Sequence, residues 1–310
     1  MSMSEKKNYF NNTKVANLIQ RFDDLTKDYN ISELGEKHKD VTSYIVFPSN
    51  GIQDLNYSLN RFDLAVMDAI YTIYQRGKEG FTLEMVADTI FGKEIKYRKD
   101  ATSKLDQISA SIDKLATIRV QIDFNQVMMT LDPSLRNGRE SDEKADRYII
   151  KDNLLHIREI RKVSQVKKEE KVWYVLGCKP ILHEYAEKLG RIISVPTHIL
   201  SISGIREDID FALVKQEIIK EIEIMKNKNN NYVSRSISYE WEHGEKKGGL
   251  LYRLGINKNQ YKNDVQWRKR KSRLNEQVRT VLDHLVEVGY ITGYRFNHSG
   301  KSTTGVEIDL

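Results

Sequence analysis

A change in the spacing of apolar residues, from helical to strand-like, occurs twice in this 310-residue chain and limits its fold more than any other feature. In the first half, apolar residues recur at helical intervals over 105–115 and then alternate over 118–124. In the second half, a helical stripe over 274–285 is followed by Gly289 and by two strand-like segments, YITGYRF and GVEIDL. Each half is therefore predicted to contain a helix that runs into β-strands.

Further helices are predicted before each of these segments. Asn60 is placed to cap a helix over SLNRFDLAVMDAIYTIYQ, and Thr82 to cap a second helix that Gly92 ends. The segment DIDFALVKQEIIKEIEIMKNK predicts one long helix at the start of the second half, before two short elements, SYEWEHG and LLYRLGI. Three helices followed by a β-hairpin is the winged-helix order.

We therefore predict an α+β fold with two winged-helix domains in tandem, over 41–195 and 196–310. The preceding segment, 1–40, contains NTKVANLIQRFDDLTK, whose spacing predicts an amphipathic N-terminal helix. That helix would either dock on a domain or mediate self-association. The polar stretch at 132–147 is predicted to be a charged loop.

Composition restricts the class of protein. The net charge is +6 and the pI about 9.0, a basic excess that suggests a polyanionic partner. The only cysteine, Cys178, excludes an intramolecular disulfide and a multi-cysteine zinc site, and its apolar flanks predict a buried, inert thiol. The N-terminus has no apolar signal region and no run approaches 18 apolar residues, so we expect a cytoplasmic protein that does not span a membrane.

The helix predicted within DVQWRKRKSRLNEQVRTVLDHLVEVGYI begins with an unusual cluster of positive charge. Within 264–273 there are five cations and one acid. Cations gain nothing from the helix dipole at this end, and like charges three or four residues apart repel each other. An anionic ligand would offset both effects, whereas the alternative is a solvated face that pairs with acids of neighbouring elements. Trp267 lies on the apolar stripe and is predicted to be core. The candidate DNA contacts on this helix are Arg268, Lys269, Arg270, Lys271, Arg273 and Gln277.

Two other segments carry candidate DNA contacts. Arg295, His298 and Lys301 lie on or beside the tip of the last predicted hairpin, where they suit phosphate or minor-groove contact. The third helix of the first unit and the residues before it offer cations and short polar side chains for contact with bases and phosphates: Lys96, Arg98, Lys99, Ser103, Lys104 and Gln107. In both segments the alternative is an ordinary polar surface.

No pattern in the sequence indicates catalysis. SGKST resembles the end of a P-loop, but Arg295 stands where the leading glycine should be, and too few residues follow to form the helix that receives the phosphate. The seven histidines form neither a His-x-His pair nor a His-Glu-x-x-His motif. We therefore expect no catalytic residues, no metal and no cofactor.

Two long segments resemble plasmid replication initiators of the tandem winged-helix, iteron-binding Rep family: YIVFPSNGIQDLNYSLNRFDLAVMDAIYTI and LLYRLGINKNQYKNDVQWRKRKSRLNEQVRTVLDHL. Leu59 and Asn60 stand at the turn that introduces the family's first helix. The match in the second unit consists of a short helix, a tyrosine and a basic third helix, at Leu254, Gly255, Ile256, Tyr261 and 268–273.

The resemblance implies a non-enzymatic protein that binds double-stranded DNA at direct repeats of an origin. Both third helices would enter successive major grooves, and the second unit would supply most of the affinity. The first unit would also form a homodimer in equilibrium with the monomer, and host replication proteins would be recruited. A winged-helix transcriptional regulator and a winged-helix protein-interaction scaffold remain alternatives to an initiator.

Overall fold

The structure is a computed structural model, and it describes residues 6–13, 33–38, 41–46, 59–94, 99–124, 148–163, 170–188, 190–203, 205, 207–227, 235–243, 246–300 and 302–310. The helices are α1 (Arg61–Gln75), α2 (Leu83–Phe91), α3 (Lys99–Thr117), α4 (Ile181–Lys188), α5 (Ile209–Asn227), α6 (Leu250–Arg253) and α7 (Asp264–Glu287). The strands are β1 (Lys7–Asn11), β2 (Glu33–His38), β3 (Val41–Val46), β4 (Gly80–Phe81), β5 (Arg119–Phe124), β6 (Tyr148–Asn153), β7 (Ile157–Val163), β8 (Glu170–Leu176), β9 (Ile192–Pro196), β10 (Ser236–Ser238), β11 (Trp241–His243), β12 (Lys246–Gly248), β13 (Gly293–Ser299) and β14 (Ser302–Asp309).

The described residues form a mixed α/β fold with several small sheets. The predicted helices of both halves are confirmed as α1, α2, α3, α5 and α7. The predicted N-terminal helix and the predicted loop at 132–147 lie outside the described residues. None of the helices in the described part of the chain combines the length and the apolar character that crossing a bilayer requires.

The two halves share one order of elements and one pattern of strand pairing. In the first unit α1, β4, α2, α3, β7 and β8 follow in this order, with β5 and β6 inserted between α3 and β7, and the sheet has the order β4-β8-β7. In the second unit α5, β10, α6, α7, β13 and β14 follow in this order, with β11 and β12 inserted between β10 and α6, and the sheet has the order β10-β14-β13. In each unit the strand that follows the first helix pairs with the last strand of the hairpin.

The strand that directly follows α3 does not belong to the hairpin that closes the first unit. This strand, β5, pairs in full register with β3 and β6 in a separate four-stranded sheet of order β2-β3-β5-β6. The hairpin that closes the first unit is β7–β8. The pairing with β3 joins residues that are far apart in the sequence. An alternating apolar pattern predicts a strand but does not identify the strand with which it pairs.

Local signals explain where the helices of the first unit begin and end. The Asn60 side chain accepts from the backbone N–H of Phe62 and Asp63, and the Asp63 carboxylate accepts from the Asn60 N–H, which completes a capping box. The Thr82 side chain caps α2 by accepting from the backbone N–H of Met85. Gly92 ends α2 with φ of +72°, and a Cβ there would lie 2.6 Å from the backbone of Leu200.

Two hydrophobic cores hold the units, and the first N-terminal strand contacts both. The first core joins α1, α2, α3 and α4 with β8, and the second joins α5 and α7 with β9, β13 and β14. Phe10 of β1 packs in the second core, while the backbone N–H groups of Tyr9 and Asn11 donate to Thr72 and Asp68 of α1. Strand β1 also pairs with β9. The N-terminal strand therefore ties the two units together.

Buried charges of α5 form the junction between the units. Glu217 lies 3.1 Å from Nη2 of Arg61 and 2.9 Å from Nε of Arg253, and Lys220 lies 3.8 Å away, with the Arg61, Glu217 and Lys220 side chains almost fully buried. Burial acts to raise the pKa of Glu217, but Lys220, Arg61 and Arg253 together hold it below its usual range. The junction is thus an ion-pair network with three cations around one carboxylate.

Side chains of α5 also satisfy the C-terminal end of α2. Lys215 donates to the carbonyl oxygens of Phe91 at 2.7 Å and Leu200 at 2.6 Å, and it pairs with Glu207 at 2.6 Å. Gln216 donates to the carbonyl of Ile90 at 3.1 Å. The last carbonyls of a helix lack partners within the helix, so these contacts fix the end of α2 against α5.

Candidate nucleic-acid interface

The apolar stripe of α7 fixes which of its faces is free. Asn263 caps the helix by accepting from the Gln266 N–H at 3.0 Å. The buried apolar residues are Trp267, Leu274, Val278, Val281, Leu282 and Leu285. Trp267 is only 9% exposed and packs in the second core, as predicted. The opposite face of the N-terminal half of α7 is therefore presented to solvent.

Two of the five clustered cations on α7 are neutralised by acids at the start of α5. Arg270 places Nη2 2.6 Å from a carboxylate oxygen of Asp210. Arg273 pairs with Asp208 and places Nε 3.7 Å from Asp210. The expectation that neighbouring acids could balance the cluster therefore holds for these two arginines.

The remaining three cations, Arg268, Lys269 and Lys271, have no such balance. Arg268 and Lys269 are exposed, and within the described part of the chain none of the three forms an ion pair with an acidic residue. Lys271 is half-buried, with Nζ 3.3 Å from Oγ of Ser302 and 5.7 Å from the ring centroid of Trp267. We call these three residues the free cations of α7.

An open groove of about 530 Å³ lies between the N-terminal half of α7 and the β13–β14 hairpin. Its lining is cationic and hydroxyl-rich: Lys258, Asp264, Trp267, Arg268, Lys271, Ser272, Asn275, Ser302 and Thr303. Asn275 donates to Oγ1 of Thr303 at 3.2 Å, so helix and hairpin are joined across the groove. The groove can therefore donate several hydrogen bonds to an anion, as phosphate oxygens require.

The one acid in this lining, Asp264, is already engaged. Its carboxylate lies 2.9 Å from Nζ of Lys258, and the hydrogen bond and charge of Lys258 hold the pKa of Asp264 below its usual range. Even with Asp264 ionised, Lys258, Arg268 and Lys271 leave the groove with an excess of positive charge.

Gln277, which the sequence places among the DNA contacts, is buried at 7% exposure. Its amide nitrogen donates to Asp210 at 2.9 Å, and its amide oxygen accepts from Arg270 at 3.3 Å. Gln277 therefore lies inside the contact between α7 and α5 and does not reach the exposed face of α7. The cause is tertiary, because Asp210 lies 67 residues earlier in the chain.

The hairpin candidates differ in their availability. Arg295 is highly exposed but pairs with Glu307 across the hairpin at 2.7 Å. His298 is exposed, and the register of the two strands shifts between Asn297 and His298. Lys301 lies outside the described residues. Of the two hairpin candidates in the described part of the chain, Arg295 is therefore paired with an acid, whereas His298 forms no ion pair with a described residue.

The first-unit candidates are brought only partly to the surface. Ser103 and Gln107 are exposed and adjacent on α3, with the Gln107 amide donating to Ser103 at 3.2 Å. Lys104 instead donates to the carbonyl of Glu207 at 2.6 Å and lies 4.5 Å from the Phe91 ring centroid, so it supports the contact between the units. Lys99 begins α3, and Lys96 and Arg98 lie outside the described residues.

The groove also contains residues that the sequence did not single out, chiefly Lys258, Ser272, Asn275, Ser302 and Thr303. A signal for two of them existed. Ser272 and Asn275 follow Arg268 and Lys271 at intervals of four residues, so these four side chains form a polar stripe on one helix face.

Comparison with known proteins gives little further guidance. No protein-family model and no curated protein matches the chain. A crystal structure of domains 2 and 3 of RctB is similar at 13% identity, with 89% of each chain covered and a TM-score of 0.40. A second crystal structure of RctB domains 2 and 3 is similar at 12% identity over 90% of this chain and 91% of that one, with a TM-score of 0.38. These scores are too low to carry a conclusion, so a function has to be inferred from the residues of this chain.

Proposed function

We propose that this protein binds double-stranded DNA through α7 and the β13–β14 hairpin. The observation that carries the proposal is the set of free cations Arg268, Lys269 and Lys271 beside a groove lined with hydroxyl and amide groups. A helix of this size fits the major groove, and cations with short polar side chains supply contacts to the DNA backbone. Phosphate contacts of this kind provide most of the affinity of such proteins.

Both units are, in this proposal, winged-helix domains. The shared order of elements supports α3 and α7 as the recognition helices, with β7–β8 and β13–β14 as the wings. The bond between Asn275 and Thr303 supports a wing that acts together with the helix, because it holds the hairpin tip beside the free cations.

The biological role we propose is initiation of replication of a plasmid or mobile element at directly repeated origin sites, without catalysis. This part rests on the resemblance of the two quoted segments to the tandem winged-helix Rep family. The proposal also includes a cytoplasmic location, a homodimer that forms through the first unit in equilibrium with a monomer, and recruitment of host replication proteins. The tandem arrangement supports the proposal because two similar units suit a site that is itself repeated.

Binding of the full chain to a duplex that carries direct repeats from its own upstream region tests the proposal. A scrambled duplex of the same composition is the reference. The test variant is Arg268→Ala/Lys269→Ala/Lys271→Ala, and the charge-matched control is Lys7→Ala/Lys78→Ala/Arg191→Ala, at exposed positions away from the groove. We expect the unmodified chain and the control to prefer the repeats, and the test variant to bind weakly. Equal binding by both variants would contradict the proposed interface.

Initiation and transcriptional regulation are separated by a second readout. A plasmid that carries the repeats should replicate in a host supplied with this protein and should be lost without it. Binding to the repeats without support of replication would indicate a regulator. Weak binding to both duplexes would indicate that the free cations face an acidic protein partner.

A further inference from the structure

Three residues with metal-binding side chains meet at one end of the first unit. Asp152 lies near the end of β6, His156 just before β7, and Cys178 just after β8. One ligand atom from each, a carboxylate oxygen, an imidazole nitrogen and the sulfur, lies within 4.8 Å of the others. The described residues contain no other group of three such side chains at this spacing.

Cys178 is exposed, and the prediction of a buried thiol was wrong. The apolar run that suggested burial ends with Leu176, the last residue of β8. Gly177 and Cys178 lie in the turn beyond it, where the strand no longer directs alternate side chains into the core. The thiol is therefore accessible to a ligand.

The backbone fixes the relative positions of these three residues. Ile157 and Leu176 are paired at the base of the β7–β8 hairpin, and the Gly177 N–H donates to the His156 carbonyl at 2.8 Å. On the other side, the Leu154 N–H donates to the carbonyl of Ile118 at 2.8 Å. The three ligand positions are thus set by hydrogen bonds of neighbouring strands, which gives a preorganised group.

The chemistry of the group selects the class of ion. A thiolate and an imidazole are ligands for zinc and similar transition metals, whereas magnesium and calcium prefer oxygen ligands alone. Oδ1 of Asp152 and Nε2 of His156 contact each other. Their side chains are 31% and 40% exposed, so water can reach the group as a further ligand.

We propose that Asp152, His156 and Cys178 bind one divalent cation of the zinc class, with water completing the tetrahedron. The ion would cross-link the end of β6, in the four-stranded sheet, to the base of the β7–β8 hairpin. It would hold this hairpin in a fixed orientation relative to the four-stranded sheet. The proposal does not depend on DNA binding, because it rests on other residues and on another part of the first unit.

Titration of the metal-stripped full chain with Co²⁺ tests the site. Co²⁺ takes the same ligands as zinc and gives visible d–d bands and a near-ultraviolet thiolate band. That thiolate band can only come from Cys178, since the chain has one cysteine. We expect one equivalent of Co²⁺ to bind and Zn²⁺ to displace it. Loss of an outer hydrogen-bond partner alone weakens metal binding about 10–100-fold. His156→Asn and Asp152→Asn should therefore each weaken binding at least about 10-fold. Cys178→Ser should abolish the thiolate band, because it removes the thiol.

His198→Asn is the matched control, because His198 is an exposed histidine outside the group. It should bind Co²⁺ like the unmodified chain. Zn²⁺ should also raise the Tm of the unmodified chain but not that of Cys178→Ser. The proposal is overturned if no thiolate band appears, or if the band and the affinity are the same in His156→Asn as in the unmodified chain.

Discussion

Helices α3 and α7 occupy the same place in the same order of elements, yet they present different surfaces. Helix α3 carries three lysines and three aspartates, and its Lys104 is held by the carbonyl of Glu207. The first ten residues of α7 carry five cations and one acid, and three of those cations are free. Under the proposed function, the charge left unpaired at the surface, and not the topology, therefore decides which unit binds DNA strongly.

The comparison extends to the two sides of α7 itself. Arg270 and Arg273 point toward the acids at the start of α5, while Arg268, Lys269 and Lys271 do not. Two arginines of the cluster are therefore paired with acids of the fold, and the other three cations are available to a ligand. The number of cations in the sequence cluster therefore exceeds the number available to a ligand by two, Arg270 and Arg273.

The largest effect is expected from breaking the junction that holds the two units in one arrangement. Glu217→Ala leaves Arg61, Lys220 and Arg253 without their shared carboxylate. Removing one partner of a buried ion pair costs about 3–5 kcal/mol, because the other charge stays buried and unpaired. Denaturant unfolding measures the loss of free energy of unfolding. Glu159→Ala, which removes an exposed pair with Arg161, should cost no more than about 1 kcal/mol.

Three glutamates introduced on each third helix compare the two helices. Arg268→Glu/Lys269→Glu/Lys271→Glu on α7 should weaken binding to duplex DNA at least about 100-fold, since like charges across an interface cost several kcal/mol. Thr102→Glu/Ser103→Glu/Gln107→Glu on α3 adds charge at exposed positions and should have a smaller effect. An equal or larger loss from the α3 variant, measured by fluorescence anisotropy, would assign the main affinity to the first unit.

The stability of the contacts that α5 makes through its buried lysines should depend on pH. Burial lowers the pKa of Lys215 to about 8, and burial also lowers the pKa of Lys220, whereas free lysine titrates near 10.4. Between these values the unfolded chain binds more protons than the folded chain, so stability should rise from pH 8 toward pH 10, by ~1–3 kcal/mol. Thermal unfolding across this range checks the sign. Lys215→Met should flatten the rise, and an unchanged slope in that variant would show that Lys215 does not cause it.

Single substitutions separate the paired from the free cations of α7. Arg270→Met removes hydrogen bonds to Asp210 and Gln277 and should lower the free energy of unfolding by about 1.5–3 kcal/mol. Arg268→Met should change stability by no more than about 0.5 kcal/mol while weakening DNA binding. The reverse pattern would contradict the division of the cluster.

The smallest effect is expected at the two glutamines. Gln107→Ala should change the preference for one base pair of the repeat by about 1 kcal/mol if its exposed amide reads a base. Gln277→Ala should instead lower stability and leave the preference unchanged, because its amide is buried against Asp210. Binding to a set of duplexes with single substitutions distinguishes the two outcomes.

The sequence predicted those parts of the molecule whose signals are local. The caps at Asn60 and Thr82 and the stop at Gly92 all lie where the structure has helix ends, because capping depends on residues three or four apart. The partner of the strand after α3 was not predicted, since the pairing of β5 with β3 depends on residues far away in the chain. The burial of Gln277 depends in the same way on Asp210.

The candidate site was also predicted only in part, because some of its features are local in the sequence and others depend on the fold. The cluster 268–273 is visible as a run of charge, but its division into paired and free cations requires the position of α5. The groove residues Ser272 and Asn275 were within reach of helical spacing, whereas Ser302 and Thr303 join them only through the fold of the hairpin. The group of Asp152, His156 and Cys178 comes from separate turns with no motif spacing, so only the structure reveals it.

The salt dependence of DNA binding tests the central claim most directly. The affinity of the unmodified chain and of Arg268→Ala/Lys269→Ala/Lys271→Ala for the same duplex is measured over a range of salt concentrations. Each phosphate contact contributes about 0.9 to the slope of log affinity against log salt. If the free cations contact phosphates, the slope of the variant should be shallower by about 2–3. A parallel pair of lines would contradict the claim that this face of α7 binds DNA.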